Sequence, residues 1–400
     1  MKVLQINAVC GKGSTGRICR ELSDWLISNG NESKILFGNG ESDYPYAKKI
    51  TNKSAIKTHG LLARITGRQA AFSPFATAKA IREIKRFQPS VVHLHNLHGN
   101  YINLKALLKY LAKKDIPTVI TLHDCWFFTG KCTHYTAVGC IKWQNGCKNC
   151  SQLKKDIPSW FFDCTKKMWK ERRKRFQEIP RLGVIGVSDW ITSEAKKSFL
   201  KNAKIVQRIY NWIDLEVFYP RQQDVKEKYG LPRNKFLIFC IGAGWDINSS
   251  KYKDLMALSD RLNNDMQIIL AGNLPKGVKL PHNITAIGYV HSTDELAKLY
   301  SQADVYVHLS KEDTFGKVIA ESMACGTPAI VYNSTACPEL IGEGCGYVVE
   351  TGDIDEMKQA IDIVKTKGKE AYSQSCVDFV KMNFEKEQLI KETVEFYVTL

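Results

Sequence analysis

The chain has 400 residues, of which 44% are hydrophobic and 24% charged, a composition that excludes a disordered protein and suffices for two domains with separate cores. It has no secretory signal at its start and no uncharged apolar run of about eighteen residues, so we expect a cytoplasmic protein without a membrane span. Its 13 cysteines, an odd number in a chain without an export signal, argue against a disulfide framework.

The excess of positive charge is confined to the first half of the chain. Residues 1–205 contain 36 Lys and Arg against 14 Asp and Glu, a net charge of +22, whereas the remainder contains 21 against 27, a net charge of −6. This asymmetry indicates an anionic partner for the first half: a nucleic acid, a phosphate-bearing acceptor or an acidic bilayer surface.

Short apolar runs alternate with segments of helical periodicity along the whole chain. KVLQINAV is followed by RICRELSDWLIS, and the pattern resumes with LIFCIGAG after a junction near residues 208–220. The alternation predicts βαβ units with parallel sheets, and hence an α/β fold of two Rossmann-like domains, 1–207 and 208–385. A last helix, 386–400, is expected to pack back on the first domain. Because ligands bind at the carboxyl ends of parallel strands, we expect the active site in the cleft between the domains.

A glycine-rich turn follows the first predicted strand. Gly11, Gly13 and Gly16 stand in CGKGSTGRI, where Arg17 adds a positive charge. The glycines are not followed by an acidic residue at the end of a second strand, so the turn differs from a dinucleotide-binding loop.

Histidines follow two later strands. His93, His95 and His98 stand in VVHLHNLHGN, and His123 and Asp124 end TVITLHD. Strand-end positions would bring such side chains to the ligand-binding edge of the sheet. We expect His123 and His95 to belong to the site, and His93 to be a core residue or, alternatively, to share a metal with His95.

A cysteine cluster follows, comprising Cys125, Cys132, Cys140, Cys147 and Cys150. The final C-x-x-C is half of a tetrahedral zinc site, and Cys132 with Cys140 would complete it, although the spacing is that of neither a zinc ribbon nor a zinc finger. Reduced, partly buried cysteines are the alternative interpretation, and a redox role is a third.

The segment 160–176, WFFDCTKKMWKERRKRF, interleaves aromatic residues with Lys and Arg. Such a segment suits the interface of an anionic membrane surface, so peripheral association with the inner face of the membrane is our hypothesis. The alternative is a solvated helix whose aromatic side chains face the core. Nucleic acid would be attracted by the same charges, but we do not expect it as a partner, because it leaves the acidic second half unexplained.

The most informative motif is SKEDTFGKVIAESMACGTPAI at residues 310–330. A predicted strand ends at Leu309, an acidic loop follows, and Phe315-Gly316 opens a helix that carries Glu321. Backbone N–H groups at a helix start can hold a diphosphate, and a carboxylate further along can accept hydrogen bonds from ribose hydroxyls. A strand-loop-helix with a solvated acidic loop is the alternative.

This motif resembles the signature of the family 4 retaining glycosyltransferases, in which two glutamates eight positions apart flank Phe-Gly and precede Gly-Thr-Pro. Glu321 matches the second glutamate. Asp313, with Glu312 beside it, stands in place of the first, which in the family contacts the donor sugar. The resemblance implies the GT-B architecture, with an acceptor-side N-terminal domain, a nucleotide-sugar-binding C-terminal domain and no cofactor required for catalysis.

The resemblance covers nearly the whole chain, including the glycine turn and the Thr-x-His-Asp context of His123. Lys251 corresponds to the family lysine that stabilises the leaving diphosphate, although Ala243 and Tyr252 stand where the family has Arg and Gly. A solvated helix-start lysine is the alternative for Lys251. Residues 211–214 read Asn-Trp-Ile-Asp instead of Asn-Gly-Ile-Asp, and the cysteine- and tryptophan-rich insertion is similar to that of a capsular and colanic-acid-type branch.

The resemblance implies a role for each candidate residue. The implied catalytic residues are His123, Asp313 and Lys251. The implied donor-binding residues are Glu321, Glu312, Thr314, Phe315, Gly316, Lys317, Val318, Gly13 and Gly16. The implied acceptor or cleft residues are His95, Arg17 and Asp124.

The implied reaction is transfer of a hexose, with retention, from a UDP- or GDP-sugar to a lipid-linked saccharide in surface polysaccharide biosynthesis. The leaving diphosphate, stabilised by Lys251 and the helix amides, would itself take the acceptor proton. The alternatives are a sugar-nucleotide epimerase or a phosphorylase on the same fold, and a non-enzymatic basic protein that binds zinc and nucleic acid.

Overall fold

The structure, a computed structural model, describes residues 1–400 and divides into two compact units. Unit 1 comprises Met1–Ile209 together with Ile390–Leu400, and unit 2 comprises Tyr210–Leu389. The division falls shortly after the 207/208 boundary expected from the sequence.

Unit 1 is built on a seven-stranded parallel sheet. Its strands are β1 (Lys2–Asn7), β2 (Glu32–Phe37), β3 (Ala47–Lys49), β4 (Val91–Leu94), β5 (Thr118–Leu122), β6 (Leu182–Gly186) and β7 (Ile205–Arg208). Its helices are α1 (Gly13–Ser28), α2 (Lys53–Thr66), α3 (Pro74–Phe87), α4 (Leu104–Lys113), α5 (Thr165–Gln177) and α6 (Asp189–Lys197). The strand order is β3-β2-β1-β4-β5-β6-β7.

Unit 2 is built on a six-stranded parallel sheet. Its strands are β8 (Phe236–Gly244), β9 (Met266–Asn273), β10 (Ile284–Gly288), β11 (Val305–His308), β12 (Ala329–Tyr332) and β13 (Gly346–Val349). The remaining helices are α7 (Ser250–Ser259), α8 (Thr293–Gln302), α9 (Lys317–Ala324), α10 (Ile354–Lys367), α11 (Glu370–Phe384) and α12 (Lys386–Val398). The strand order is β10-β9-β8-β11-β12-β13.

The central strands are buried on both faces, which is why they read as apolar runs in the sequence. Every residue of β4, β5, β6, β11 and β12 is buried. Parallel strands covered by helices on both sides need apolar side chains at successive positions, not at alternate ones. The predicted α/β class and the two Rossmann-like domains are confirmed.

Helix α4 shows how the covering layer forms. Leu104, Leu107, Leu108 and Leu111 are its buried residues, at the spacing of a single helical face. The side chain of Asn103 accepts a hydrogen bond from the backbone N–H of Ala106 at 3.0 Å and so caps the helix start. Each buried leucine contributes roughly 1.5–3 kcal/mol of transfer free energy.

The C-terminal residues 390–400 pack within unit 1. The hydroxyl of Tyr397 lies 2.7 Å from Nδ1 of His93. A Cβ atom on Gly183 would lie 2.6 Å from the ring of Phe396, so glycine in β6 makes room for that ring. The ammonium of Lys204 donates to the backbone carbonyl oxygens of Thr399 and Leu400 at 2.9 and 3.0 Å.

Each sheet has one topological switch point, where the chain leaves neighbouring strands in opposite directions. The switch lies between β1 and β4 in unit 1 and between β8 and β11 in unit 2. Ligands of open parallel sheets bind outside the carboxyl ends of the strands at such points. The glycine turn and His95 follow β1 and β4, and the loop of Asp313 follows β11, so the candidate residues stand where the topology favours binding.

Candidate functional site

The loop of residues 309–316 connects β11 to α9 at the switch point of unit 2. Gly316 is the N-cap residue of α9 with a φ of 84°, in the left-handed region that favours glycine. A Cβ atom there would also lie 2.7 Å from Cδ1 of Ile319. No side chain caps α9, and no acidic residue lies in its first turn. A helix start of this kind is suited to bind an anion.

Asp313 is held by contacts on both its side chain and its backbone. Its Oδ2 atom lies 2.7 Å from Nε2 of His308, whose Nδ1 lies 2.8 Å from the hydroxyl of Tyr306. Its backbone N–H donates to Oγ1 of Thr335 at 3.0 Å, and its carbonyl accepts from the N–H of Ala336 at 3.2 Å. Of the two acidic residues considered for the first family position, Asp313 is therefore the one that this network fixes.

His308, Asp313 and Cys337 bring three ligand-type atoms within 4.8 Å of one another. Burial, followed by the charge of Asp313, raises the pKa of the Cys337 thiol well above its ordinary value. Both ring nitrogens of His308 already have protein partners, Nε2 with Asp313 and Nδ1 with Tyr306, so the histidine offers no nitrogen to a metal. We interpret the group as support for Asp313.

Lys251 lies in the first turn of α7 and turns back toward β8. Its ammonium donates to the carbonyl of Ile241 at 3.0 Å and lies 4.2 Å from the ring centroid of Trp245. Burial lowers the pKa of Lys251, and the carboxylate of Asp313 acts in the opposite direction. The structure thus brings Lys251 and Asp313 into electrostatic range, and Lys251 is not the fully solvated lysine of the alternative interpretation.

The other predicted donor residues lie in the same loop and helix. Glu321 is 2% exposed within α9, and Thr314 and Gly316 are also buried, whereas Glu312, Lys317 and Val318 are partly exposed. Phe315 packs edge-on against Phe384 with ring centroids 5.3 Å apart. Its ring therefore anchors the loop to the core and does not face a ligand.

The glycine turn of unit 1 joins β1 to α1. The N–H of Gly11 donates to the carbonyl of Gly16 at 2.9 Å. A Cβ atom on Gly16 would lie 3.1 Å from Cγ2 of Val9, a tight approach. Gly13 begins α1 and is exposed, and Arg17 is partly exposed one turn later.

His95 and His123 follow β4 and β5 and form a pair. Nδ1 of His95 lies 3.0 Å from Nε2 of His123, and Nε2 of His95 lies 3.2 Å from Oε1 of Gln5. His95 is 1% exposed, so it lies behind His123 and is not placed to contact a ligand directly. Burial, followed by the charges of neighbouring histidines, holds the pKa of His95 well below its ordinary value, so its ring is neutral.

The hydrogen bonds assign the tautomers of this pair. Nε2 of Gln5 donates to the carbonyl of Cys19 at 2.9 Å, which leaves Oε1 to face His95. Nε2 of the neutral His95 must then carry the proton, and its Nδ1 accepts from Nε2–H of His123. In neutral His123, Nδ1 is consequently the acceptor nitrogen.

His93 and Asp124 are engaged elsewhere in unit 1. His93 is buried between Tyr397 and Oγ1 of Thr121, both at 2.7 Å, and burial lowers its pKa to about 3. Asp124 accepts from the N–H of Trp126 at 2.8 Å and lies 2.8 Å from Nε2 of His98. Although burial raises the pKa of Asp124, these hydrogen bonds bring it below its ordinary value. His93 thus joins β4 to β5 and to the C-terminal residues, and Asp124 stabilises the turn that follows β5.

The four candidate zinc ligands lie in the irregular part of unit 1 between β5 and α5. Cys132 is buried, and Cys140, Cys147 and Cys150 are partly exposed. The thiols of Cys132 and Cys150 form a hydrogen bond.

The segment 160–176 separates into two parts. Within α5, Trp169 and Phe176 are buried in the core, as the alternative interpretation expected. In the preceding turn, which we call the aromatic loop, Trp160, Phe161 and Phe162 are 43%, 67% and 59% exposed. No helix of the chain has both the length and the apolar composition needed to cross a bilayer.

Three residues that support the candidate site were not predicted from the sequence: Gln5, Tyr306 and His308. Each carries a buried polar group inside an apolar strand, and such a position is the signal that could have found it. Their partners lie on other elements or later in the same loop, so strand periodicity does not identify them.

The chain matches two family models. The model described as Glycosyltransferase Family 4 matches residues 15–217, and the model described as Glycosyl transferases group 1 matches residues 222–376. Among curated relatives, the "Putative colanic acid biosynthesis glycosyl transferase WcaC" of Escherichia coli (strain K12) is 24% identical over 424 residues, covering 100% of both chains.

Solved structures share the fold over the whole chain. The sucrose-phosphate synthase from Thermosynechococcus elongatus superposes with a TM-score of 0.69 at 16% identity, covering 100% of this chain and 98% of that one. Anabaena Alr3699/HepE in complex with UDP superposes with a TM-score of 0.67 at 16% identity, covering 100% of both chains. These likenesses identify the GT-B fold. Since the first family model alone spans more than half of the residues, the chain belongs to glycosyltransferase family 4.

Proposed function

We propose that this glycosyltransferase moves a hexose, with retention of configuration, from a nucleotide-sugar donor to a lipid-linked saccharide acceptor in surface polysaccharide biosynthesis. The observation that carries the proposal is the arrangement at the switch point of unit 2. There the anchored carboxylate of Asp313 lies in electrostatic range of Lys251, beside the uncapped start of α9.

This arrangement suits a sugar diphosphate. Diphosphate oxygens would accept hydrogen bonds from the first turn of α9, where the helix dipole favours negative charge. The Lys251 ammonium would stabilise the charge that develops as the diphosphate leaves. Glu321, on the same helix, is our candidate for the ribose hydroxyls, and Asp313 for the donor sugar. The complexes of Alr3699/HepE with UDP and with UDP-glucose support a UDP-sugar as the first donor to test, with GDP-sugars as the second.

Retention is accounted for by attack on the face that the diphosphate leaves. The bond from the anomeric carbon to the diphosphate oxygen breaks, the bond to the acceptor oxygen forms, and the acceptor proton passes to the departing diphosphate. His123, as a tautomer with Nδ1 as acceptor, is our candidate for a hydrogen bond with a sugar hydroxyl.

The acceptor proposal rests on the surface of unit 1. The aromatic loop is exposed, and its Trp160 N–H donates to the carbonyl of Arg64 at 2.6 Å, which ties it to α2. Leu61 and Leu62 of α2 are also exposed. The exposed face of α5 carries Lys166, Lys167, Lys170, Arg173 and Lys174. Apolar side chains beside basic ones suit the surface of an anionic bilayer, where a lipid-linked acceptor would be found.

The donor proposal is tested by replacing Lys251 and Glu321. We expect Lys251→Ala to lower kcat by about 10²–10³-fold, as the loss of one preorganised charge partner does. We expect Glu321→Gln to weaken binding of UDP or GDP measured by calorimetry. Lys276→Ala, at an exposed position in unit 2, is the matched control. Sugar transfer and nucleotide affinity that both remain at wild-type levels in the double variant Lys251→Ala, Glu321→Gln would contradict the proposal. Retention is tested separately, by the anomeric signal of the product in NMR.

A further inference from the structure

The segment 125–164 of unit 1 has almost no regular secondary structure. Between β5 and α5 it contains only two 3-10 turns, Thr136–Val138 and Lys142–Gln144. Six of the 13 cysteines lie in it, and none of them forms a disulfide bond in the structure. A segment that lacks the regular backbone hydrogen bonds of helices and strands depends on its side chains for order. Small irregular cysteine-rich segments are commonly ordered by a structural metal.

Backbone N–H groups point at two of the sulfurs. The N–H of Gly130 donates to Sγ of Cys147 at 3.1 Å, and the N–H of Gln152 donates to the sulfur of Cys150. A Cβ atom on Gly130 would lie 2.7 Å from Cβ of Cys147, so this approach requires glycine. N–H groups directed at cysteine sulfurs stabilise the thiolate form, as the outer hydrogen bonds of metal sites do.

Two buried cations lie beside these sulfurs. Lys131 is 1% exposed, and its ammonium donates to the carbonyls of Gln152 and Lys155, both at 2.8 Å. Arg172 is 3% exposed, and its Nη1 donates to the carbonyls of Trp126 and Thr129, both at 2.6 Å.

Nη2 of Arg172 is buried with no hydrogen-bond partner. Lys131 acts electrostatically on Cys132 and Cys150, and Arg172 on Cys147. Neither cation forms a salt bridge with a carboxylate, and the nearby Asp124 already accepts from His98 and Trp126. Asp163 acts electrostatically on Lys131 and Asp124 on Arg172, without a direct salt bridge in either case. Because buried cations are costly, thiolates at the neighbouring cysteines would add favourable negative charge beside both of them.

We propose that Cys132, Cys140, Cys147 and Cys150 bind one structural Zn²⁺ ion as thiolates. Four thiolates around Zn²⁺ leave a double negative charge, which the two buried cations would neutralise. A disulfide between Cys132 and Cys150 would be neutral and would add no negative charge beside the two cations. The charge around the cysteines therefore favours metal over a disulfide.

Binding requires the thiols to move closer together. No three of the four sulfurs lie within 4.8 Å of one another in the structure. Zn–S bonds of about 2.3 Å would bring the sulfurs to about 3.8 Å from one another. Cys140, Cys147 and Cys150 are only partly buried, so their side chains have room to rotate toward a shared ion.

Metal analysis of the full chain, prepared without a metal-binding tag, tests the site. We expect about one zinc per chain in the wild type, and loss of that zinc in the double variant Cys147→Ser, Cys150→Ser. The matched control is Cys164→Ser, in the same segment, because the Cys164 thiol donates to the carbonyl of Thr66 and a hydroxyl can do the same. We expect this variant to keep the zinc.

A second measurement does not depend on the folding of a variant. In the native wild-type chain, iodoacetamide should label the four cysteines slowly, and a chelator should accelerate that labelling at least several-fold. A folded wild-type chain grown with zinc that contains none, a Cys132–Cys150 disulfide found by peptide mass, or zinc retained in the double variant would each overturn the proposal. These outcomes are independent of donor binding in unit 2.

Discussion

The buried side-chain amide of Gln5 determines the tautomer of His123, although it contacts only His95. It stands in β1, where neighbouring side chains are apolar, and its Oε1 requires a proton on Nε2 of His95. Nδ1 of His95 is then an acceptor, so Nε2 of His123 must donate to it. Nδ1 of His123 consequently becomes the acceptor nitrogen of that ring. Gln5 is therefore a positioning residue for His123.

Replacing Gln5 by Leu tests this arrangement. Without the acceptor, His95 can take either tautomer and His123 loses its fixed orientation, so we expect kcat to fall by about 10–100-fold, the range for outer hydrogen-bond partners. The affinity for the donor nucleotide, measured by calorimetry, should stay the same because unit 2 is unchanged. Gln267→Leu, which removes a buried glutamine from β9, is the matched control, and we expect it to preserve kcat. An equal loss in both variants would indicate a general packing effect.

Glu83 joins three elements of unit 1. From α3 its carboxylate accepts hydrogen bonds from Lys34 of β2 at 2.9 Å and Lys48 of β3 at 2.8 Å, and Arg86 adds a third at 2.8 Å. Glu83 is 3% exposed, so solvent screens these contacts little. Although burial raises the pKa of Glu83, the two lysines bring it from 4.5 to about 2.

The lowered pKa of Glu83 gives a dependence of stability on pH. Its contribution is fully present above the unfolded pKa of about 4.5 and is lost as pH falls toward the folded pKa of about 2. We expect Glu83→Gln to lower the unfolding free energy of unit 1 by about 3 kcal/mol at pH 7. Urea unfolding at pH 7, 5 and 3 should show a similar deficit at the first two values and a smaller one at the third. A deficit that does not depend on pH would contradict the role of the charge.

The helices and strands could be predicted from the sequence, but the contacts between them could not. Buried parallel strands read as apolar runs, and the Phe315-Gly316 turn indicates a helix start because glycine is required there. The contacts between Gln5 and His95, and between His93 and Tyr397, join residues far apart in the chain. Periodicity contains no information on which elements meet, so it cannot show that His95 is buried or that Asp124 is engaged by His98.

In the whole molecule, both the excess of positive charge and a group of exposed apolar side chains lie in unit 1. Residues 1–205 have a net charge of +22, and the same region contains the aromatic loop and the exposed leucines of α2. The sequence predicted a basic-aromatic segment but not which part of it is exposed. Helix α5 turns its aromatic side chains inward and its lysines outward, which leaves the aromatic loop as the apolar contact.

Membrane association should therefore depend on both lipid charge and the aromatic loop. We expect the wild-type chain to float with vesicles containing phosphatidylglycerol and not with phosphatidylcholine alone, since each basic residue near an anionic surface contributes about 1 kcal/mol. The double variant Phe161→Ser, Phe162→Ser should lose most of the floating fraction, because two exposed rings would no longer enter the interface. Met382→Ser, at a 74% exposed apolar position in unit 2, should float like the wild type. Equal recovery with both vesicle types, or an unchanged double variant, would show that this surface does not bind an anionic bilayer.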